Sequence, residues 1–274
     1  MKIKFYGVRG SYPRAEARFL KYGGNTSCII VKNDKSTIIF DAGTGLLKAG
    51  ESLLKEKNIF MFITHTHYDH MQGFPFFSPF FRKETNTNIY GPSIKDKSFQ
   101  DIIDMYMNPF FLPFSVADFE NRKFSIKSLE KDDEKINING IIIKGKKIQS
   151  HPLFGVYIFS YESNNQKIVY ATDVDVSKEM NNGFLDFIDG ADILIIDSYF
   201  SEQKLSNLRK SNGYENYGHS TFESVLKIKD LANIKKLFFY HYNPKYDDKY
   251  LERLEKRYQK EGVFFSKECE EVIV

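Results

Sequence analysis

Short apolar runs recur along the chain and predict buried strands, because they are rich in β-branched and aromatic residues and too short for ordinary helices. The five clearest runs are residues 38–40, 59–63, 168–170, 193–196 and 237–240. Less uniform runs predict further strands at 2–8, 26–32, 138–148 and 155–163.

Helical patterns lie between these predicted strands. Two sets of apolar residues each share one face at a 3.6-residue period: Leu46, Leu47, Leu53 and Leu54, and then Leu251, Leu254 and Tyr258. Strands and helices interspersed in this way favour a layered α/β architecture over a helical bundle or an all-β sandwich. No Ser/Gly/Pro-rich or strongly charged stretch separates two hydrophobic blocks, so we expect one domain over residues 1–274.

The segment 74–120 differs from the rest of the chain in its density of aromatic residues and prolines. Its phenylalanines are interspersed with helix breakers: Phe74, Phe76, Phe77, Phe80, Phe81, Phe110, Phe111 and Phe114 among Pro75, Pro79, Pro109 and Pro113. This composition indicates a cap over a site, a loop wall or a subunit interface. A core-covering loop with a helix at 97–107 is an equally good interpretation.

Charge and cysteine content narrow the class of protein. Lys and Arg total 39 against 36 for Asp and Glu, and the net charge of +3 is too small to indicate a nucleic-acid-binding surface by itself. The cluster Lys144, Lys146 and Lys147 is typical of a solvated strand edge, although it would also attract an anionic substrate. The two cysteines, Cys28 and Cys269, do not predict a disulfide framework or a cysteine metal site.

The chain lacks the apolar stretches that would direct it into a membrane. Residues 1–5 precede no long apolar core of a secretory signal, and nowhere do about 18 uncharged apolar residues run together as a membrane span requires. We therefore expect a cytoplasmic protein with no membrane partner.

The chain leaves the five clearest strands at acidic residues or histidines: Asp41, His65, Asp173, Asp197 and His241. In open α/β sheets, ligands gather beyond the carboxyl ends of the strands. One polar residue at a strand end means little, but five predict a common rim around one site.

Residues 65–70, with the sequence HTHYDH, follow one of these strands directly. The ligand types among them are His65, His67, Asp69 and His70. Four such residues within six positions suit a tight turn that shares its ligands between two ions. Imidazole together with carboxylate favours zinc, manganese or iron over calcium. A polar loop with chance histidines is the alternative, and this spacing makes it a minor one.

The other three histidines are also suggestively placed. His151 stands between two strand-like segments, His219 lies in the Gly-His-Ser-Thr run 218–221, and His241 ends an apolar strand. A lone histidine is usually a satisfied surface or core residue. Here all six histidines of the chain fall into the pattern, which favours a metal site.

The order of these residues resembles the metal-binding motifs of the metallo-β-lactamase superfamily. Four further segments are similar to a branch that contains ribonuclease Z and bacterial and phage cyclic-nucleotide phosphodiesterases, including anti-Pycsar enzymes: residues 7–11 (GVRGS), 22–28 (YGGNTSC), 41–45 (DAGTG) and 218–221 (GHST). The chain departs from this branch at Tyr242, where relatives often have a second histidine, and at Tyr217, where Trp is common. The resemblance implies an α/β fold, the four-layer αββα sandwich of two mixed β-sheets with helices outside.

The resemblance also implies a set of metal ligands around two divalent ions. In chain order these are His65, His67 and His151 for one ion, Asp69, His70 and His241 for the second, and Asp173 as the bridge between them. Zinc is the expected metal and manganese the alternative.

Two metals of this kind hold a bridging hydroxide at neutral pH and act as Lewis acids on a phosphoryl oxygen. Asp69, as a ligand, and His219 are the residues that we expect to be catalytic. His219 is the candidate general acid, because an imidazole titrates near neutrality and the resembling enzymes have a histidine in this motif. Its alternative role is structural, at a helix N-terminus capped by Ser220 or Thr221.

Two further aspartates stand at strand ends. Asp41 is expected to accept the second N–H of a ligating imidazole, because metal-bound histidines normally donate that proton to a carboxylate or carbonyl. Its alternative is a turn residue before Gly43. Asp197 fits either role, and we interpret it as structural.

Together these features predict a metal-dependent phosphodiesterase that hydrolyses 3′,5′-cyclic nucleotides to linear nucleoside monophosphates. A transfer-RNA 3′-processing endonuclease of the ribonuclease Z kind is the main alternative, but such enzymes usually add a basic, Gly/Pro-rich arm that has no convincing equivalent here. A metal-dependent ester or lactone hydrolase also fits the metal motif, whereas flavodiiron proteins resemble a pattern with Glu in place of His67. We expect a small anionic nucleotide as substrate, no stable binding of nucleic acid, and a homodimer.

Overall fold

Two β-sheets form the centre of the computed structural model, which describes residues 1–119, 123–180, 183–212 and 217–274. Within those residues each sheet has seven strands. In spatial order, the first sheet consists of β14 (Glu271–Ile273), β1 (Lys2–Gly7), β2 (Cys28–Lys32), β3 (Thr37–Phe40), β4 (Asn58–Phe62), β5 (Asn86–Pro92) and β6 (Phe124–Leu129). The second consists of β13 (Val263–Phe265), β12 (Lys236–Tyr240), β11 (Ile193–Asp197), β10 (Gln166–Ala171), β9 (Val156–Ser163), β8 (Ile141–Ile148) and β7 (Glu134–Ile138).

Both sheets are mixed, and they share one pattern of strand directions. From β14 to β6 the described strands make three antiparallel pairings and then three parallel ones. The second sheet repeats this pattern from β7 to β13. The five clearest predicted strands are β3, β4, β10, β11 and β12, and each takes part in a parallel pairing. Their carboxyl ends therefore lie at matching edges of the two sheets.

Helices cover the outer faces of the sheets. The α-helices are α1 (Gly45–Ser52), α2 (Tyr68–Met71), α3 (Phe99–Tyr106), α4 (Val176–Glu179), α5 (Phe184–Ile188), α6 (Glu202–Asn212), α7 (Phe222–Leu231) and α8 (Asp248–Arg257). Leu46 of α1 and Ile103 of α3 pack against Ile39 and Met61 on the outside of the first sheet. On the second sheet, α5, α7 and α8 bury apolar residues such as Val225 in the main core.

The two sheets pack face to face through aromatic side chains. Phe40 of the first sheet stacks on Phe159 and Tyr170 of the second, with ring centroids 5.7 and 5.6 Å apart. Its neighbour Ile39 points to the opposite face and joins the cluster under α1. Both faces of these strands are buried, which explains why they are uniformly apolar in sequence. The predicted α/β sandwich of two mixed sheets with helices is confirmed.

The structure differs from the predicted elements at several places. The predicted strand 138–148 corresponds to β8, but β8 begins only at Ile141, because β7 ends at Ile138 and a turn joins the two strands into a hairpin. Asn139 and Gly140 form the two-residue turn between them with φ angles of 53° and 87°, the backbone that such hairpin turns require. The sequence does not predict β5, β6, β13 or β14: the first half of β5 is the polar run Asn-Thr-Asn, β6 contains three polar residues, and β13 and β14 have three residues each.

The Phe/Pro-rich segment is divided between the core and the surface. Phe74, Phe77 and Phe80 are buried in the cluster under α1, whereas Phe110 and Phe111 are 93% and 84% exposed. The cap or interface role of this segment stays a prediction, and residue 120 at its end lies outside the described residues.

In the part of the chain that the structure describes, no helix combines the length and the apolar character needed to cross a membrane.

Candidate metal centre

The polar residues at the strand ends meet at one edge of the two sheets. Asp41 follows β3, Asp173 lies two residues beyond β10, and His241 follows β12. Each of these three has a left-handed backbone, with φ angles of 62°, 55° and 59°. Such a conformation is unfavourable for residues other than glycine and concentrates at functional sites, where the surrounding structure imposes it.

The first group of ligand atoms comes from His65, His67 and His151. One ring nitrogen of each lies within 4.8 Å of the others, and Nδ1 of His67 is 3.0 Å from Nε2 of His151. The turn after β4 supplies two of these side chains, and the loop between β8 and β9 supplies the third. His151 and His65 are buried, while His67 is exposed to solvent at the mouth of the site.

The second group consists of Asp69, His70 and His241, again with ligand atoms within 4.8 Å of one another. Nε2 of His70 and Nε2 of His241 lie 3.3 and 3.1 Å from Oδ2 of Asp69. The same nitrogens lie 3.1 and 3.3 Å from Oδ2 of Asp173. Two ligands of one tetrahedral zinc ion, each at about 2.0–2.1 Å, are separated by about 3.3 Å, so these spacings fit a common ion.

Asp173 stands between the two groups. Its Oδ2 faces the second group, and its Oδ1 lies 3.9 Å from Nε2 of His65. The carboxylate thus turns one oxygen toward each group, which is the arrangement expected of a bridging ligand. The structure brings together all seven of the predicted metal ligands.

Unpaired buried atoms indicate that these residues suit metal ions. Nε2 of His65 and Nε2 of His70 are buried and form no hydrogen bond. The opposite nitrogens are held: Nδ1 of His70 donates to Asp41 at 2.8 Å, and Nδ1 of His65 pairs with the hydroxyl of Thr64 at 3.1 Å. A ligating histidine shows this asymmetry, with one nitrogen anchored and the other presented to the metal.

The charge balance of the site also calls for cations. Asp41, Asp69, Asp173 and Asp197 are each 6% exposed or less. Within the described residues, none of these carboxylates has a lysine or arginine at ion-pair distance, and their charged partners are histidines alone. Buried carboxylates are costly unless they are paired or coordinate metals, so two divalent ions would neutralise the excess negative charge.

Asp41 makes several hydrogen bonds to the candidate ligand loop. Besides the proton of His70, its carboxylate accepts hydrogen bonds from the backbone N–H and hydroxyl of Thr64 and from the hydroxyl of Tyr170, all at 2.8 to 3.0 Å. The side chain is fully buried. Asp41 is therefore more than a turn residue, because its hydrogen bonds connect the ends of β3, β4 and β10 behind the candidate metal ligands.

Asp197 has a larger role than the sequence indicated. Its Oδ2 accepts the Nδ1–H of His219 at 2.7 Å and the backbone N–H of Asp173 at 3.1 Å. The same oxygen lies 3.4 Å from Nδ1 of His241. Asp197 therefore orients one candidate ligand, the bridging aspartate and the candidate acid at once. Its place at the end of β11 is equivalent to that of Asp41 after β3, and this position is the feature of the sequence that indicates a role at the site.

His219 lies beside both ligand groups and is 8% exposed. Its Nδ1 is 3.8 Å from Oδ1 of Asp173, and its ring stacks on Tyr199 with centroids 4.3 Å apart and planes 12° apart. The cap of α7 is Thr221, whose hydroxyl accepts the N–H of Ser224 at 3.1 Å. Thr221 thus performs the helix-capping role, and His219 is held at the site by Asp197 and Tyr199.

Residues 10 and 11, whose roles the sequence did not reveal, complete the second group. The backbone N–H of Ser11 donates to Oδ2 of Asp69 at 2.7 Å, and its hydroxyl pairs with that of Tyr199 at 2.8 Å. Gly10 lies against the ring of His241, where a Cβ atom would be 2.5 Å from Cε1. The GVRGS motif therefore buttresses a carboxylate and an imidazole of the same ligand group.

The two groups have opposite electrostatic character in the metal-free protein. Burial lowers the pKa of His65 and His67 and lowers the pKa of His151 to about 4. In the second group burial also disfavours charge, but the neighbouring carboxylates, Asp173 foremost, outweigh it and raise the pKa of His241 to about 10. The pKa of His70 is raised well above its ordinary value in the same way. The first group is therefore neutral and open to a metal, while the second binds protons that a metal must displace.

Comparison with known proteins agrees with this geometry. A family model described as "Beta-lactamase superfamily domain" matches residues 36–242. A protein named ribonuclease Z from Picrophilus torridus is 27% identical over 288 aligned positions, which take in 90% of this chain and 87% of that protein.

Solved structures of similar fold include two that span the whole chain. The Bacillus subtilis metallo-beta-lactamase fold protein YhfI superposes with a TM-score of 0.71 and 17% identity, and covers 99% of each chain. The short form of human tRNase Z superposes with a TM-score of 0.68 and 18% identity, and the match covers 100% of this chain and 99% of that one. At these identities the likeness concerns the fold.

Proposed function

The chain belongs to the metallo-β-lactamase superfamily and is a metal-dependent hydrolase, and from this premise we propose that it is a phosphodiesterase with two metal ions. The seven ligands would hold the ions as two groups joined by Asp173. Zinc is the metal that we propose, because tetrahedral sites built from imidazole and carboxylate are typical of it, and manganese is the alternative.

The observation that carries this proposal is the buried pair of Asp197 and His219. The carboxylate holds the imidazole by Nδ1, 3.8 Å from Asp173, so that the opposite nitrogen, Nε2, is the proton donor for a substrate. An alkoxide that departs from phosphorus needs a proton, and a positioned imidazole supplies it. An ester or lactone also expels an alkoxide that needs a proton, so the choice of a phosphodiester rests on this donor together with the relative named ribonuclease Z.

The reaction divides between the ions and the side chains. When bound, two divalent ions supply Lewis acidity toward a phosphoryl oxygen and lower the pKa of water, so that a hydroxide nucleophile is available at neutral pH. The side chains of Asp69 and Asp173 lie where the water would attack. The N–H of Ser11 fixes the carboxylate of Asp69, and the N–H of Asp173 is itself fixed by Asp197. The attacking water first loses a proton to solvent. As its oxygen forms one P–O bond and the other ester P–O bond breaks, His219 gives its Nε2 proton to the departing oxygen and afterwards regains one from solvent.

An RNA phosphodiester is the first candidate substrate. The relative from Picrophilus torridus matches most of both chains and is named ribonuclease Z, which supports the RNA-processing alternative over cyclic nucleotides. We therefore propose cleavage near the 3′ end of a precursor transfer RNA as the leading activity, although the small net charge gave no sign of nucleic-acid binding.

A 3′,5′-cyclic nucleotide remains the second candidate because of one feature of that alignment. The 288 aligned positions take in only 90% of this 274-residue chain. The alignment therefore includes positions at which the relative has residues and this chain has none. A chain that lacks these residues offers less surface to a folded RNA, which favours a small substrate, and its sequence has no convincing equivalent of the basic arm.

The test is hydrolysis by purified protein loaded with zinc or manganese. The substrates are a precursor transfer RNA with a 3′ trailer, purine and pyrimidine 3′,5′-cyclic nucleotides, and cyclic dinucleotides, with Asp69→Ala as the inactive control. Cleavage of the RNA at one position supports the leading proposal, and conversion of a cyclic nucleotide alone supports the second. If the metal-loaded protein cleaves nothing in the panel, the phosphodiesterase proposal is wrong.

A further inference from the structure

A small apolar pocket opens beside the first ligand group. Its volume is about 150 Å³, and His65 and His67 form part of its lining. Its walls come from the end of β5 and the loop that follows it, and from the loop between β8 and β9, and they include Pro92, Ile94 and Phe154. The pocket is continuous with the candidate metal centre, because the two histidines belong to both.

The loop between β8 and β9 exposes two large apolar side chains at this pocket. Leu153 is 84% exposed and has a left-handed backbone with a φ angle of 71°. Phe154 is 39% exposed. Exposed apolar residues on a strained loop beside a reaction centre indicate a surface that contacts a ligand, since folding alone favours neither the exposure nor the strain.

Positive charge accompanies the apolar walls. Lys147, at the end of the sequence's lysine cluster, lines the pocket. The ammonium group of Lys95 lies 5.4 Å from the ring centroid of Phe154. Within the described ranges, no carboxylate lies at ion-pair distance from either lysine. The pocket therefore combines an aromatic wall with the cationic side chain of Lys147, and a second cation, Lys95, lies beside that wall.

We propose that this pocket binds the nucleobase next to the scissile phosphate, with Phe154 as the stacking surface. A cavity of about 150 Å³ lined by apolar side chains accommodates a benzene-sized ring, so one six-membered ring of a base fits. The lysines complement the phosphates of the same nucleotide, and His67 joins the pocket to the phosphodiester site. This assignment rests on the proposed phosphodiesterase function, whose substrates all carry a base beside the phosphate.

The test compares ligands that differ only by the base. Binding of uridine 5′-monophosphate and of ribose 5-phosphate to zinc-loaded protein is measured by calorimetry, so that phosphate contacts cancel in the ratio. The variants are Phe154→Ala, Phe154→Tyr and Phe264→Ala. Phe264 is a matched control, because it is 40% exposed and packs on Phe238, away from the metal centre. Equal melting temperatures establish that the variants are folded.

We expect the wild type to bind the nucleotide about tenfold or more tightly than the sugar phosphate, the effect of one base–aromatic stack. Phe154→Ala should remove that preference, while Phe154→Tyr and Phe264→Ala retain it. No preference in the wild type, or a preference unchanged in Phe154→Ala, would overturn the proposal. These outcomes are separate from hydrolysis. If the protein cleaves RNA but shows no base-dependent binding, the phosphodiesterase proposal stands and the pocket proposal fails. If Phe154→Ala abolishes base-dependent binding and the protein cleaves no substrate, the pocket proposal stands and the phosphodiesterase proposal fails.

Discussion

His219 donates its Nδ1–H to Oδ2 of Asp197 across 2.7 Å, and both side chains are buried beside the bridging carboxylate of Asp173. The pair is connected to the metal site without supplying a ligand to either predicted group. Loss of the imidazole should therefore affect proton transfer and leave the metals in place.

We predict that His219→Ala lowers kcat about 10²- to 10⁴-fold on a natural phosphodiester, the usual contribution of a general acid. On bis(p-nitrophenyl) phosphate the loss should be much smaller, because nitrophenolate departs without a proton. Steady-state kinetics on both substrates and the zinc content of the variant provide the measurement. Equal losses on the two substrates, or loss of zinc, would show that His219 acts through the metals.

Asp41 and His70 provide a second prediction. Because Asp41 accepts the Nδ1–H of His70 and is 0% exposed, Asp41→Asn should weaken zinc binding about 10- to 100-fold. Competition with a chromogenic chelator measures this affinity. The same change at exposed Asp34 is the control and should have no effect. Undiminished affinity in Asp41→Asn would reduce Asp41 to a structural turn residue.

Much of the site was predictable because its ligands follow apolar strands and lie in a compact motif. The strands β3, β4, β10, β11 and β12 are buried on both faces, so their sequences are uniformly apolar and their ends are easily found. Spacing alone placed His65, His67, Asp69 and His70 in one turn. Family resemblance was still needed to assign the partners that are distant in sequence.

The other features of the site and the fold depend on contacts between distant residues, which no local sequence pattern encodes. Asp197 was interpreted as structural, because only the folded chain shows that its carboxylate reaches His219 and His241. Ser11 binds Asp69 through a backbone N–H, which leaves no signature in residue type. Side-chain type does not predict strand β5, because its polar first half becomes a strand through its pairings with β4 and β6.

Gly10 provides a third prediction. A Cβ atom at this position would be 2.5 Å from Cε1 and 2.7 Å from Nδ1 of His241, so Gly10→Ala should displace the imidazole and weaken the second ligand group. We expect the variant to retain one zinc ion after dialysis against a chelator that leaves two in the wild type. Gly145→Ala is the control, since the nearest atoms to its Cβ would belong to Phe159 and Tyr157, at 3.2 and 3.3 Å, and to none of the candidate ligands. Two retained ions in Gly10→Ala would contradict this view of Gly10.

Metal binding should release protons, and the second ligand group should be their source. The pKa of His241 is raised to about 10 and that of His70 well above its ordinary value, with carboxylates as the favourable cause that outweighs burial. Both imidazoles are thus protonated in the metal-free protein at pH 7.5, and each must lose its proton to coordinate. His65 and His151 have lowered pKa values and bind as neutral ligands without proton loss. Zinc affinity should therefore fall as the pH is lowered, and calorimetry in buffers of different ionisation enthalpy should detect at least two protons released per chain. The number should decrease by about one in His241→Ala, whereas no release in the wild type would contradict the protonated state of this group.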